Sequence, residues 1–277
     1  MRRPWTILCS VVLVCLWLPA GNAGESKAEV TYTTEKSILY REAPDEPLDD
    51  YMKEKCRLDF YHPVGQTGYT TVVWFHGGGL TAGSRYIDDR LKEQGIAVAA
   101  ASYRLHPKVT CPAYIEDAAA AVAWVFKHVE QYGGDAKRIL VSGSSAGGYL
   151  TLMVGLDKRW LAKYDIDADR IACLAPFSGQ AITHFTIRKE RGVPHTQPII
   201  DEFAPLYHVR PDAPPLVLLT GDPELEIWGR ADENAYLARM MKVVGHKDTV
   251  HYAFQGFGHG MKVPGYEILL KQIKQRQ

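Results

Sequence analysis

The chain has 277 residues, 46% of them hydrophobic, and its 32 lysines and arginines balance its 32 aspartates and glutamates. Once a leader is removed, this length suits one large α/β domain of about 250 residues. The balanced charge gives no indication of a nucleic acid or an anionic membrane surface as a partner.

The N-terminus has the three parts of a secretory signal peptide. Arg2 and Arg3 precede an apolar run from Ile7 to Leu18, and small residues up to Ala23 then offer a cleavage site. A signal anchor is disfavoured because the apolar run is shorter than the ~20 residues of a membrane span. We therefore expect a signal peptide at 1–23, a catalytic domain at 24–277, and a secreted or periplasmic protein without stable membrane insertion.

Three cysteines remain after the leader, namely Cys56, Cys111 and Cys173. An odd number requires at least one free thiol unless chains pair, and burial within strands is the favoured interpretation for Cys56 and Cys173. A disulfide between Cys56 and Cys111 stays open. No Cys/His spacing resembles a metal site, so neither a metal nor a cofactor is expected.

Apolar runs and glycine or proline breaks predict alternating strands and helices along the chain. Residues 24–51 are polar and predict an exposed entry segment. We predict strands at 55–61, 70–75, 96–102, 139–142, 171–175, 216–220 and 250–254, and helices at 112–132, 149–153, 231–244 and 266–273.

Three consecutive glycines follow the second predicted strand, in the run His76-Gly77-Gly78-Gly79-Leu80. Glycines at this place allow a close backbone approach and leave amide groups free to point at a ligand. A flexible linker is a weak alternative, since linkers seldom begin directly at the end of a core strand. The pattern is typical of an oxyanion hole, in which the amides of Gly78 and Gly79 act with that of Ala146. We expect His76 to brace the loop.

The sequence Gly143-Ser144-Ser145-Ala146-Gly147 lies between an apolar strand and a run that can be helical. This is the context of a nucleophile elbow, a turn so tight that its neighbouring residues must be small. Ser145 is therefore the predicted nucleophile. Gly-x-Ser-x-Gly alone is common by chance, and the flanking strand and helix give it weight.

Four motifs in a fixed order resemble the hormone-sensitive-lipase-like esterases of the α/β-hydrolase superfamily. They are His-Gly-Gly-Gly, Tyr-Arg-Leu-x-Pro from Tyr103, Pro-Ala-x-x-x-Asp from Pro112, and Gly-x-Ser-Ala-Gly-Gly around Ser145. The resemblance implies a mostly parallel eight-stranded sheet with helices on both faces, and acyl transfer without a cofactor. The family often carries a longer N-terminal cap, so in its short N-terminal segment the chain is similar to small secreted acetyl-xylan and feruloyl esterases.

Residues 177–213 look irregular, and insertions at this point resemble caps over the pocket in this superfamily. Six apolar residues there could line an acyl or aryl site, and simple loop packing is an equally good interpretation of each: Phe177, Phe185, Ile187, Ile199, Phe203 and Tyr207.

The resemblance also implies a triad in the chain order serine, acid, histidine. Counting from the end of the strand at 216–220, the family spacing favours Glu224 as the acid, with Asp222 second and Glu226 third. A carboxylate here would hold the imidazole of the base in the correct tautomer. His259, flanked by glycines after the last predicted strand, is the predicted base, ahead of His251 within the strand.

These residues predict a secreted serine carboxylester hydrolase that forms an acyl-enzyme. Its substrates would be short-acyl or aryl esters, including acetyl or feruloyl esters of plant polysaccharides. A serine peptidase or amidase of the same fold, a non-catalytic hydrolase-like binding protein and a long-chain lipase stay as alternatives. The partner is a small or polysaccharide-linked ester, and the oligomeric state is open.

Overall fold

A single eight-stranded sheet forms the centre of the molecule in the computed structural model, which describes Met1 and residues 30–41 and 47–276. The predicted signal peptide lies outside the described residues. The strands are β1 (Tyr32–Leu39), β2 (Arg57–Pro63), β3 (Tyr69–Phe75), β4 (Ala97–Ala101), β5 (Gly134–Ser144), β6 (Cys173–Phe177), β7 (Leu216–Gly221) and β8 (Thr249–Phe254).

The strand order is β1-β2-β4-β3-β5-β6-β7-β8. Only β2 runs against its two neighbours, and each of the other neighbouring pairs among the described strands is parallel. The predicted mostly parallel α/β-hydrolase sheet is confirmed. Crossover connections place the carboxyl ends of β3, β5, β7 and β8 at one edge of the sheet, where ligands bind in open α/β folds.

The helices are α1 (Asp50–Lys55), α2 (Ala113–His128), α3 (Ala146–Leu156), α4 (Arg159–Ala162), α5 (Phe185–Glu190), α6 (Arg230–Val243) and α7 (Lys262–Gln275). Apolar residues of α2, α3 and α6 join the core on one face of the sheet, and those of α7 join the core on the other. All seven residues of β3 and all five of β4 are consequently buried, which explains their continuous apolar runs.

The strand β1 lies within the segment that we predicted to be an exposed entry, and that prediction is wrong for residues 32–39. Its sequence is largely polar because β1 is an edge strand that is only half-buried. Its pairing with β2 is interrupted between Glu35 and Ile38, where Ser37 has a φ of 59°. Such irregularities are common at sheet edges and weaken the alternating pattern on which strand prediction depends.

The buried carboxylate of Asp117 connects three parts of the chain. Asp117 of α2 is fully buried and accepts hydrogen bonds from Nε and Nη2 of Arg104, both at 2.8 Å, and from the Arg104 amide. Arg41, which follows β1, donates to the same carboxylate at 2.7 Å. Arg104 and Asp117 belong to two of the sequence motifs, whereas Arg41 is a partner that the sequence analysis did not predict. They connect the segments around β1, β4 and α2.

The region between β6 and β7, called the cap-like segment below, contains α5 and a 3-10 helix, Pro205–His208, and is otherwise irregular. Helix α5 lies against the glycine loop after β3, as described below. Cys56, Cys111 and Cys173 are free thiols in this structure, so Cys56 and Cys111 are not joined. No helix among the described residues is both long enough and apolar enough to cross a membrane.

Candidate active site

Ser145 stands at the turn between β5 and α3, with φ 57° and ψ −113°. This left-handed backbone is costly for a residue with a side chain and is typical of functional turns. The turn closes because its neighbours are glycines: a Cβ on Gly147 would lie 2.1 Å from the carbonyl oxygen of Phe75, and one on Gly143 would lie 2.6 Å from that of Gly147. The sequence thus enforces the elbow by steric exclusion.

The glycine loop after β3 lies beside this turn. Gly78 and Gly79 have φ values of 111° and 62°, and a Cβ on Gly78 would lie 2.1 Å from the carbonyl oxygen of Ala82. The Gly78 carbonyl accepts hydrogen bonds from the amides of Thr81 and Ala82, both at 3.0 Å, which fixes the loop. Both glycines line the same cavity as Ser145.

The amides predicted as oxyanion donors are free to bind a ligand. Within residues 30–41 and 47–276, those of Gly78, Gly79 and Ala146 donate to no protein acceptor. Ala146 is the first residue of α3, and its side chain is buried. Unsatisfied amides at a helix N-terminus and in a glycine loop form a site for negative charge.

His76 supports the loop, as the sequence predicts. Its Nδ1 lies 2.7 Å from the carbonyl oxygen of Gly77, and its ring stacks on Tyr103 with centroids 4.3 Å apart. The Tyr103 hydroxyl also donates to the His76 carbonyl at 2.8 Å. Burial lowers the pKa of His76 to about 4, so the ring is neutral at neutral pH and contributes no charge to the site.

Helix α5 contacts the outer side of the glycine loop. The Thr186 hydroxyl donates to the carbonyl oxygen of Gly79 at 2.5 Å, and a Cβ on Gly79 would lie 3.0 Å from the Phe185 ring. Thr186 is almost fully buried. The cap-like segment therefore holds the loop that carries two of the predicted oxyanion donors. Sequence analysis missed this contact because its two partners are 107 positions apart.

His259, after β8, lines the cavity that contains Ser145. On the other side of its ring, Nδ1 lies 2.7 Å from Oε1 of Glu226, whose side chain is 1% exposed. The Ser178 hydroxyl, 3.1 Å from the same Nδ1, donates to Oε2 of Glu226 at 2.5 Å. A carboxylate at Nδ1 fixes the orientation and the tautomer of an imidazole and leaves Nε2 available to accept a proton.

Glu226 is held in its ionised form. Burial raises its pKa, but hydrogen bonds from His259, Ser178 and the amides of Gly221 and Ile227 outweigh burial and lower the pKa to about 2. The carboxylate is therefore charged at neutral pH, as is required to stabilise an imidazolium on His259.

The carboxylate that contacts His259 in this structure is that of Glu226, the third choice from sequence, and not that of Glu224 or Asp222. Glu224 is exposed, and Asp222 accepts hydrogen bonds from the amides of Glu224 (3.0 Å) and Gly256 (2.9 Å). The amides of Leu225 and Glu226 both donate to the Asp222 carbonyl, which makes a helical turn. This turn brings the third choice, Glu226, back to the strand end, where the amide of Gly221 donates to it.

The cavity at Ser145 has a volume of about 660 Å³. Aromatic side chains of Tyr86, Phe185 and Trp228 form part of its wall. Of the six apolar residues proposed to line it, Phe185 does so, and the other five do not. Phe177, for example, is buried in the core between Trp74 and Tyr266. The described residues include no group of three or more His, Cys, Asp or Glu side chains that could hold a metal ion.

Comparison with known proteins agrees with this architecture. The family model BD-FAE matches residues 58–172. The probable carboxylic ester hydrolase LipM of Mycobacterium tuberculosis is 27% identical over 222 residues, which cover 69% of this chain and 51% of LipM. A probable isoprenylcysteine alpha-carbonyl methylesterase of rice, Oryza sativa, is 35% identical over 120 residues, 42% of this chain and 26% of that protein. The chain thus spans about half or less of the length of these relatives.

Solved structures share the fold at low sequence identity. A truncated carbohydrate esterase from gut microbiota superposes with a TM-score of 0.71 at 17% identity, covering 91% of this chain and 98% of that one. Esterase B of Lactobacillus rhamnosis has a TM-score of 0.69 at 19% identity, covering 88% and 87%. A bacterial heroin esterase has a TM-score of 0.66 at 21% identity, covering 92% and 86%.

Proposed function

We propose that this chain is a serine carboxylester hydrolase of the α/β-hydrolase superfamily. One observation carries the proposal: Ser145 and His259 line one cavity with the oxyanion glycines, and Glu226 binds the far side of the imidazole. This is the constellation that acyl transfer requires. The ester hydrolases among its relatives support the same reaction.

The mechanism has two steps. His259 accepts the proton of Ser145 as the serine oxygen attacks the ester carbonyl, while Glu226 stabilises the imidazolium. The amides of Gly78, Gly79 and Ala146 bind the oxyanion, and loss of one such donor costs roughly 3–4 kcal/mol of barrier. The alcohol leaves with the proton from His259, and water, activated by the same base, cleaves the acyl-enzyme.

The substrates we propose are short-acyl or aryl esters, including acetyl and feruloyl esters of plant polysaccharides. The aromatic wall of Tyr86, Phe185 and Trp228 suits an aryl or a short acyl group. We further propose that the protein is exported and that its leader is cleaved after Ala23. N-terminal sequencing of the exported protein would then begin at Gly24, and a retained leader would contradict export with cleavage.

The deciding experiment compares the leaderless protein with its Ser145→Ala variant on p-nitrophenyl acetate, butyrate and palmitate, methyl ferulate and acetylated xylan. We expect hydrolysis of short or aryl esters that is lost in the variant, with an unchanged circular dichroism spectrum. An organophosphonate should label Ser145, as mass spectrometry can show. Activity that survives the substitution, or a folded protein inactive on all five esters, would overturn the proposal.

A further inference from the structure

A second cavity of about 450 Å³ lies beside the one that contains Ser145. Trp228 lines both cavities, so its indole stands at their boundary. The second cavity is formed between the cap-like segment and the start of α6, and its wall includes Gln180, Arg188, His195, Trp228, Asp232 and Glu233.

Trp228 combines an exposed side chain with an unfavourable backbone conformation. The residue is 63% exposed, and its φ of 44° lies in the left-handed region, which is unfavourable for a bulky residue. Its ring packs edge-on against Phe185, with centroids 5.5 Å apart, and near His195 at 5.3 Å. An exposed indole on a strained backbone indicates a binding surface.

Arg188 supplies a buried donor without a protein partner. The residue is 3% exposed, and its Nη1 donates to the carbonyl oxygen of Gln197 at 2.5 Å. Its Nε has no hydrogen-bond acceptor among the residues that the structure describes, and Glu233 is close enough to interact electrostatically with the guanidinium. A buried guanidinium in this state costs free energy that a ligand oxygen would recover.

Groups of both charges face this cavity. Asp232 is exposed in the first turn of α6, and Glu233 accepts hydrogen bonds from the Ala181 amide at 3.1 Å and from Gln180 Nε2 at 3.4 Å. Two carboxylates disfavour an anionic ligand, and Arg188 disfavours a cationic one. Hydroxyl groups both donate and accept, so they can use the carboxylates and the guanidinium together.

We propose that the second cavity is a subsite for a neutral, polyhydroxylated ring, that is, a sugar unit in the alcohol part of the ester. The apolar face of the ring packs on Trp228, its hydroxyl groups bind Arg188 and Asp232, and its esterified oxygen reaches into the cavity of Ser145. This inference rests on the proposed ester hydrolysis and defines its substrate class as acetylated or otherwise acylated sugars.

The test measures kcat/KM on two acetates, a mono-acetylated methyl pyranoside and p-nitrophenyl acetate, which is too small to fill both cavities. In Trp228→Ala we expect kcat/KM to fall at least about tenfold more on the sugar ester than on the aryl ester, mainly through KM. The sugar loses the aromatic surface on which it packs, whereas Tyr86 and Phe185 still line the cavity of Ser145. Asp232→Asn, which keeps the side-chain shape, should lower the sugar ester activity about threefold to tenfold and leave the aryl ester within about twofold. The control is Tyr236→Ala, because Tyr236 is an aromatic residue of α6 that is 53% exposed and lies outside both cavities.

The outcomes separate the two proposals. No hydrolysis of either acetate would refute the proposed function itself. Hydrolysis of both acetates with an unchanged activity ratio in Trp228→Ala and Asp232→Asn would refute the sugar subsite alone. A preference for a choline or glycolate acetate over the neutral sugar acetate would also refute it, since it would show that the cavity selects charge.

Discussion

Oε1 of Glu226 lies 2.7 Å from Nδ1 of His259, although the two residues are 33 positions apart and belong to loops after different strands. The contact supports the proposed role of Glu226, which is to orient His259 as the base. We expect Glu226→Gln to lower kcat by about 10²- to 10⁴-fold, because an amide can neither stabilise an imidazolium nor enforce the tautomer. Esterase kinetics with p-nitrophenyl acetate measure this.

Glu224→Gln is the matched control, since Glu224 is exposed two positions away. Its kcat should stay within about twofold of the parent protein. The opposite result, in which Glu224→Gln loses most of its activity and Glu226→Gln stays active, would identify Glu224 as the catalytic acid.

The same carboxylate gives a pH-dependent contribution to stability. The folded protein lowers the pKa of Glu226 from its ordinary 4.5 to about 2, so the unfolded chain takes up the proton first. The stabilisation is complete above pH 4.5 and is lost as the pH falls from 4.5 to 2. In urea unfolding at pH 5 and pH 3, the difference in unfolding free energy between the parent and Glu226→Gln should be smaller at pH 3 than at pH 5. A difference that grows at pH 3 would contradict the lowered pKa.

The bond from Thr186 to the Gly79 carbonyl predicts that the cap-like segment positions the oxyanion loop. Thr186→Val keeps the side-chain volume and removes the donor, so kcat should fall about tenfold with KM little changed. Thr186→Ser retains the hydroxyl and should recover most of the lost kcat. Equal losses in both variants would show that the methyl packing, and not the hydrogen bond, is what matters.

We expect substitution of Asp117 to have a large effect on stability, because its carboxylate is buried and paired with two arginines. Asp117→Asn would leave the guanidiniums of Arg104 and Arg41 without their carboxylate in a buried setting, and we expect a loss of about 3–5 kcal/mol in the free energy of unfolding. Asp50→Asn breaks an ion pair with Lys53 on the exposed surface of α1 and should cost less than about 1 kcal/mol. Denaturant unfolding distinguishes the two, and similar small losses would mean that the buried pair is solvated.

The turn at Ser145 leaves no room for a side chain at Gly147. A Cβ at this residue would lie 2.1 Å from the Phe75 carbonyl oxygen, whereas one at Gly260 would meet no atom within 4 Å. Gly147→Ala should therefore lose at least about 3 kcal/mol of stability or fail to fold, while Gly260→Ala should unfold at the parent's denaturant midpoint. A normally stable Gly147→Ala protein would show that the turn can open.

Local sterics explain why much of this site could be predicted from sequence. The elbow at Ser145 and the loop at Gly78 depend on glycines within a few positions, and β3 and β4 are buried on both faces, so each pattern is complete in one short stretch. Counting positions after β7 did not select the carboxylate that contacts His259, because the helical turn after Asp222 changes which side chain returns to the sheet. Thr186 and Ser178 contact partners distant in sequence, which no local pattern encodes.

The edge strand β1 was missed for a different reason. Only one of its sides is paired, and its residues are half-buried or exposed, so the sequence YTTEKSIL has the composition of a loop. Its pairing with β2 is a tertiary contact that outweighs local preference.

The strand order has a consequence for how activity arises during folding. Ser145 follows β5 in the middle of the sheet, while Glu226 and His259 follow β7 and β8, and β6 separates the two groups. Ser145 and the glycine loop thus follow strands in the middle of the sheet, whereas Glu226 and His259 meet only when the last two strands have docked at its edge. We therefore expect recovery of the proposed esterase activity during refolding to require the completed sheet, because a chain that stops before β8 would have Ser145 without His259.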